Sequence, residues 1–262
     1  MSMFLPKIIV KKIEPKKNVE LIYELTQTVI KNTNNSLAFS ERLCGRFPAF
    51  KDTFKPSLSD AEIYQIVDYE IKKELIESNE ALEARVIEIQ ERFNEIERPL
   101  LQSMLSLFEV EWSVSGPNII CYLGCLPVFP RDVITKEFWI NYNSIEEKIM
   151  GGAIHEINHF VFFEKWKSMH GYTKTTEPTH PEALWFLEEI IVGPTLADQR
   201  IQSVFPNSQK SYASFYREKI NNRFIMDYIE EFYNNRVSME DFLNRCYEFI
   251  TDNIEEIILK CG

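Results

Sequence analysis

The stretch Gly151–Trp166, GGAIHEINHFVFFEKW, places two of the chain's four histidines inside a largely apolar and aromatic run. Its composition predicts a buried helix. Residues four apart on an α-helix are separated by about 400° of rotation and about 6 Å of rise, so His155 and His159 project from one face, one turn apart. Two such imidazoles can bind one metal ion, and Glu156 can reach a water on the ion's open position. The pattern H-E-x-x-H therefore predicts a metal-dependent hydrolase.

An accidental occurrence of the motif is the alternative. A lone histidine on such a face is usually a core residue, but two at this spacing, together with an acid, are harder to place without a ligand. Glu156 stands among Ile154, Ile157 and Phe160, and a carboxylate buried there needs a partner. A metal site accounts for all three polar side chains at once.

A catalytic zinc site takes three protein ligands and leaves one position for water, so a third ligand is required. The segment 180–198, HPEALWFLEEIIVGPTLAD, predicts a second helix that is apolar but carries carboxylates. Glu188 and Glu189 follow His159 by about 30 residues, which is room for the first helix to end and for the second to pack across it. A carboxylate in so apolar a segment is costly unless it is paired or ligated. Spacing alone leaves both glutamates as candidate ligands.

The residues His155-Glu156-x-x-His159, followed by a helix that carries a glutamate, resemble the gluzincin branch of zinc metallopeptidases, the thermolysin-like group. The resemblance covers roughly residues 138–200, about a quarter of the chain. It implies that His155, His159 and the glutamate of the second helix bind zinc (Zn2+), and that Glu156 activates water as the general base. In that family the ligand glutamate commonly follows a polar residue, which favours Glu189 with Glu188 before it.

The metzincin branch of zinc metallopeptidases is excluded. Metzincins require H-E-x-x-H-x-x-G-x-x-H, and Phe162 and Lys165 occupy the two positions that should be glycine and histidine. The chain also departs from the gluzincin pattern, which places an aspartate four residues after the ligand glutamate. Gly193 stands there, so Asp198 or Glu182 is expected to orient a histidine instead.

Two further parts of the site are expected. The resemblance implies an edge strand before the motif helix, against which an extended substrate pairs, and the segment 137–143, EFWINYN, is in the right place. An ordinary strand inside a mixed sheet is the alternative interpretation of that segment. The oxyanion formed during hydrolysis needs a donor, and the sequence does not rank the candidates, which are His170, His180, Tyr212, Tyr216 and Tyr228.

The remaining patterns predict an α+β fold that is predominantly helical, with N-terminal helices (1–109) followed by a zincin-like catalytic region (110–262); one continuous domain is the alternative. The first region contains a short strand at 7–13, a helix at 19–32, a second helix that begins at a Ser59–Glu62 capping box, and a heptad seam at 82–107 interrupted by Pro99. The seam is expected to pack within the chain, with dimerisation as the alternative. Short strands follow residue 110, and Ser144 with Glu147 predicts a capped start for the motif helix.

Composition excludes several other functions. The net charge of -11 argues against nucleic acid as a partner. The chain has no apolar run of about 20 residues and no recognisable signal peptide, so no membrane partner is expected. Its five cysteines form no complete metal-binding set, and reduced thiols in a cytoplasmic protein are the expectation. The sequence thus favours a zinc peptidase with a peptide or protein substrate; the alternative is a non-catalytic helical binding protein with a structural or vestigial metal site.

Overall fold

A computed structural model describes residues 4–31, 37–52, 58–171, 177–206 and 210–261. Within these ranges the protein is an α+β fold that is predominantly helical and contains a small mixed sheet, which confirms the predicted fold class. Every helix in the described part of the chain is too short or too polar to span a bilayer.

The main sheet has four strands in the order β1-β2-β4-β3. These strands are β1 (Ile8–Lys12), β2 (Ile119–Gly124), β3 (Arg131–Asp132) and β4 (Glu137–Asn141). Strand β2 pairs in parallel with both β1 and β4, whereas β3 pairs antiparallel with β4 at the sheet edge. A separate hairpin, which the sequence did not predict, is formed by β5 (Lys219–Ile220) and β6 (Arg223–Phe224).

Helices surround this sheet and account for most of the chain. They are α1 (Pro15–Lys31), α2 (Leu37–Arg46), a short 3-10 helix (Pro48–Asp52), α3 (Asp60–Glu77), α4 (Asn79–Phe108), α5 (Glu146–His170), α6 (Ala183–Ile190), α7 (Val192–Leu196), α8 (Gln199–Gln202), α9 (Ala213–Arg217), α10 (Ile225–Asn234), α11 (Met239–Asp252) and α12 (Ile254–Cys261). The Ser59–Glu62 capping box forms as predicted at the start of α3.

Helix α5, which carries the H-E-x-x-H motif, is the central helix of the fold. Most of its residues are buried on all sides, as expected for a helix without a polar face. It contacts β4, α4 and α7, so its functional side chains are held by packing from several directions. A helix enclosed in this way is a rigid support for a site.

Helix α4 covers the edge of the sheet that β1 forms. Gln90 donates a hydrogen bond to the carbonyl of Ile8 (3.1 Å) and accepts one from the N–H of Val10 (2.8 Å). Glu97 accepts a third from the N–H of Ile8 (3.1 Å). These bonds satisfy backbone groups of β1 that a neighbouring strand would otherwise satisfy.

The heptad seam of α4 packs inside the chain, as expected. The helix continues through Pro99 and buries the seam residues Leu82, Ile89, Phe93, Leu100, Met104 and Leu107. Because β1 pairs with β2, the sheet joins residues from both sides of position 110. The domain boundary at that position stays a prediction.

Two local predictions are wrong. Helix α5 begins at Glu146 after Ile145, and no side chain caps it. Ser144 instead closes a turn, in which its N–H donates to the carbonyl of Asn141. Strand β4, which the resemblance implies at the sheet edge, instead lies between β2 and β3, as in the alternative interpretation of that segment. The two-residue strand β3 occupies that edge, so β4 does not offer a free edge along its whole length.

Replacing Gln90 by Ala is expected to lower the free energy of unfolding by about 1–3 kcal/mol, because it leaves two backbone groups of β1 without their partner. Urea denaturation measures the difference. Glu91→Ala, at the exposed neighbouring position on the same helix, is the control and should change stability by less than about 0.5 kcal/mol. Equal effects of the two variants would show that the edge does not depend on Gln90.

Candidate metal centre

Helices α5 and α6 bring three side chains together. One ligand atom from each of His155, His159 and Glu189 lies within 4.8 Å of the other two. Oxygens of Glu189 are 3.7 Å from Nε2 of His155 and 3.8 Å from Nε2 of His159. Bonds of about 2.0–2.2 Å to a tetrahedral ion would place such atoms about 3.3–3.6 Å apart. The two distances to Glu189 exceed this separation by a few tenths of an ångström, whereas ligand atoms up to 4.8 Å apart would have to approach by about 1 Å to bind one zinc ion.

His159 shows why a ligand fits here. Its side chain is completely buried, and neither ring nitrogen has a hydrogen-bond partner among the described residues. Burial, together with the charges of Arg131 and His155, lowers the pKa of His159 well below its ordinary value. The ring is therefore neutral, which is the form that binds a metal. Buried polar atoms without partners are rare in folded proteins, and an ion at Nε2 would satisfy one of them.

Glu188, the alternative third ligand, lies on the other side of the same ring. Its Oε2 is 3.6 Å from Nδ1 of His159, and the carboxylate is fully buried. Burial raises the pKa of Glu188 well above its usual range despite the opposing charge of Arg131. A carboxylate at the far nitrogen of a metal-binding imidazole orients the ring and fixes its tautomer. These positions suit Glu189 as the metal ligand and Glu188 as the carboxylate that supports the ring of His159.

The sequence analysis expected Asp198 or Glu182, not Glu188, to orient a histidine. Asp198 instead caps helix α8 and binds Arg200 and Tyr233, so it is committed elsewhere and that expectation is wrong. Glu182 accepts hydrogen bonds from the backbone and hydroxyl of Thr179. The carboxylate that contacts a motif histidine from its outer side is Glu188.

Arg131, which the sequence did not single out, lies at the centre of the acids. From strand β3 its guanidinium contacts Glu156 (3.1 Å), Glu177 (2.6 Å), Glu188 (2.9 Å) and Glu189 (3.4 Å). The sequence signal is the charged pair Arg131 and Asp132 within the otherwise apolar segment LPVFPRDVI. Contacts with four carboxylates from distant parts of the chain become visible only in the folded molecule.

The charge around the site is unbalanced. Burial lowers the pKa of Arg131, but the four carboxylates outweigh it and raise that pKa well above the ordinary value, so the guanidinium stays charged. Burial also raises the pKa of Glu156, and raises that of Glu177 to about 7, in both cases against the effect of Arg131. For Glu189, the hydrogen bond from His155 and the charge of Arg131 outweigh burial and lower the pKa. Four acids facing one guanidinium favour a further cation.

The site opens into a cleft of about 500 Å³, which His155, Glu156 and Glu189 help to line. Phe129 forms part of its wall and packs directly against Gly152 on α5. A Cβ at that glycine would lie 2.6 Å from the phenyl ring, so only glycine permits this approach. The cleft therefore has an apolar wall beside an acidic floor.

One of the five candidate oxyanion donors also lines the cleft, and it is Tyr212. The side chain is about half exposed, but partial desolvation and the charge of Glu189 raise the pKa of its phenol, so the hydroxyl stays protonated and can donate. The hydroxyl of Tyr228 donates to the carbonyl of Ile220. The imidazoles of His170 and His180 pack on tryptophan rings.

The two neighbouring glutamates are expected to differ in their effect on zinc affinity. Glu189→Gln removes a candidate ligand and should weaken binding by more than about 100-fold, whereas Glu188→Gln removes only the support of His159 and should weaken it by about 10- to 100-fold. Competition with a chromophoric chelator measures both constants. An equal or larger loss at Glu188 would transfer the ligand role to that residue.

Comparisons of the chain with models of protein families, with curated proteins and with solved structures found no match. Its chemistry is therefore inferred from the side chains described above and from the distances between them.

Proposed function

We propose that the protein is a zinc-dependent peptidase of the gluzincin type, acting on peptides or proteins in the cytoplasm. The observation that carries the proposal is the meeting of His155, His159 and Glu189 at the floor of an open cleft, beside the carboxylate of Glu156. Two imidazoles and one carboxylate are a common ligand set of catalytic zinc. A structural zinc site would be closed by a fourth protein ligand.

A bound zinc ion supplies Lewis-acid polarisation of the scissile carbonyl and acidification of water. Glu156 supplies the proton transfers. Its Oε2 accepts a hydrogen bond from Arg131 (3.1 Å), while Oε1 has no partner among the described residues. This free oxygen can take a proton from water and pass it to the leaving amine. A pKa raised by burial suits a group that must both accept and release a proton.

Tyr212 is the side chain best placed to stabilise the oxyanion. It lies in the cleft wall with Ser211. Its ring packs against Trp185 of α6, with centroids 5.7 Å apart, which fixes it relative to the helix that carries Glu189. The phenol can donate a hydrogen bond to charge that develops on the substrate carbonyl.

The state of the cysteines supports a reducing compartment. All five are free thiols, and three of them, Cys121, Cys125 and Cys246, are buried. Burial raises the pKa of each of these three thiols. They are therefore protonated and unreactive, as expected for core thiols in a cytoplasmic protein.

Glu156→Gln tests the proposal directly. The variant should keep its zinc, because Glu156 is not a ligand, and should lose peptide hydrolysis by several orders of magnitude, because the proton acceptor is gone. Metal analysis and cleavage of a fluorescence-quenched peptide library measure the two properties. Glu147→Gln, at an exposed position of the same helix, should retain both. A zinc-loaded native protein that cleaves no peptide would favour the alternative of a non-catalytic binding protein.

Tyr212→Phe is expected to lower kcat by about 10- to 1000-fold, the range seen when one oxyanion donor is removed. KM and zinc content should change little, since the ring remains in place. Tyr228→Phe is the matched control, because that hydroxyl already donates to a backbone carbonyl. An unchanged kcat for Tyr212→Phe would exclude its phenol from the reaction.

A further inference from the structure

The centre holds more carboxylates than a catalytic ion can use. Oxygens of Glu189 are 3.7 and 3.8 Å from the Nε2 atoms of His155 and His159, Glu188 is 3.6 Å from the other ring nitrogen of His159, Nδ1, and Glu156 follows His155 on the same helix. An open zinc site takes three protein ligands, whereas a fourth closes it. Something must therefore keep two acids from joining Glu189 on the ion.

Arg131 contacts the two surplus acids more closely than it contacts the ligand. Its guanidinium nitrogens are 3.1 Å from Glu156 and 2.9 Å from Glu188, but 3.4 Å from Glu189. A fourth contact, 2.6 Å to Glu177, holds the remaining edge of the group. A guanidinium can engage several carboxylates at once because it presents five N–H donors in a rigid plane.

The position of Arg131 is fixed from outside the metal site. The residue pairs with Phe138 across β3 and β4, and the ring of Phe138 packs against Phe160 of α5, with centroids 6.1 Å apart. The next residues of the hairpin are tied to the same helix, since Lys136 forms an ion pair with Glu164 (2.7 Å). The backbone of Arg131 is thus held by the sheet, while the four acids hold its guanidinium.

We infer that Arg131 is a positioning residue that holds Glu156 and Glu188 away from the metal, and so keeps one coordination position open for substrate and water. The inference rests on the metal site of the proposed function but not on peptide hydrolysis. Arg131 also places a positive charge beside the ion, which opposes metal binding. Arg131 therefore lowers the metal affinity of the site and keeps the bound ion accessible.

This role has a consequence that a merely structural role would not have. Arg131→Gln should bind zinc more tightly, by about tenfold or more, because a repelling charge is removed and two carboxylates are released toward the ion. The same change should close the open position. General loosening of the site would instead weaken zinc binding.

Two measurements on the full-length protein test this. Competition with a chromophoric chelator gives the zinc affinity, and the visible spectrum of the cobalt-substituted protein shows whether added acetohydroxamate reaches the ion. In the native protein acetohydroxamate should shift the spectrum; in Arg131→Gln the shift should be lost. Lys148→Gln removes the same charge from a cleft-lining position without an acidic partner among the described residues, and should retain both the native affinity and the shift.

Second variants identify the acid that closes the site. In Arg131→Gln combined with Glu156→Gln, or combined with Glu188→Gln, the acetohydroxamate response should return for whichever carboxylate had joined the ion. Arg131→Lys keeps the charge but not the planar set of donors, so it should retain the native affinity and lose part of the response. If Arg131→Gln does not fold, Arg131→Lys tests the inference in its place.

The inference is overturned if Arg131→Gln binds zinc no more tightly than the native protein, or if its cobalt spectrum responds fully to acetohydroxamate. Native protein that binds no zinc would overturn this inference and the proposed function together. Native protein that binds zinc but hydrolyses no peptide would overturn only the proposed function, because the comparison between variants would still be decided by affinity and spectrum.

Discussion

Burial of acids around His159 is the constraint on which the centre depends. Glu188 is fully buried and Glu189 nearly so, and ionised carboxylates removed from water are costly unless they are paired. Arg131 offsets part of this cost, but a single guanidinium cannot balance four acids. Protonation, which the raised pKa values of Glu156, Glu177 and Glu188 favour, or a bound cation would offset the rest.

The fold was predictable wherever a pattern was local. The amphipathic helices, the Ser59 capping box and the seam of α4 follow from residue spacing, and the structure contains all of them. Ser144 failed as a cap because a tertiary turn, closed by its bond to Asn141, competes for the same residue. The β5–β6 hairpin was missed because its strands have two residues each, too few to show alternation.

The candidate site likewise has a part that a local sequence pattern predicts and a part that only tertiary contacts bring together. His155 and His159 are one helical turn apart, so their convergence is encoded in five consecutive residues. Arg131 reaches the site from a two-residue strand through contacts with acids 25 to 58 positions away, and no local pattern reports such contacts. Residue spacing left Glu188 and Glu189 as equal candidates, and only the family resemblance favoured Glu189, because their difference lies in which edge of the His159 ring each one faces.

The geometry of the centre is set by the sheet as much as by α5. Helix α4 holds β1 through Gln90 and Glu97, β1 pairs with β2, and β2 fixes the register of β4. Strand β4 in turn sets the register of β3, where Arg131 stands opposite Phe138. A slip of one residue at this last pairing would turn Arg131 to the other face of the sheet, away from the acids on α5 and α6. The N-terminal helix α4 therefore acts on the candidate metal centre through strand register, although it supplies none of the candidate ligands.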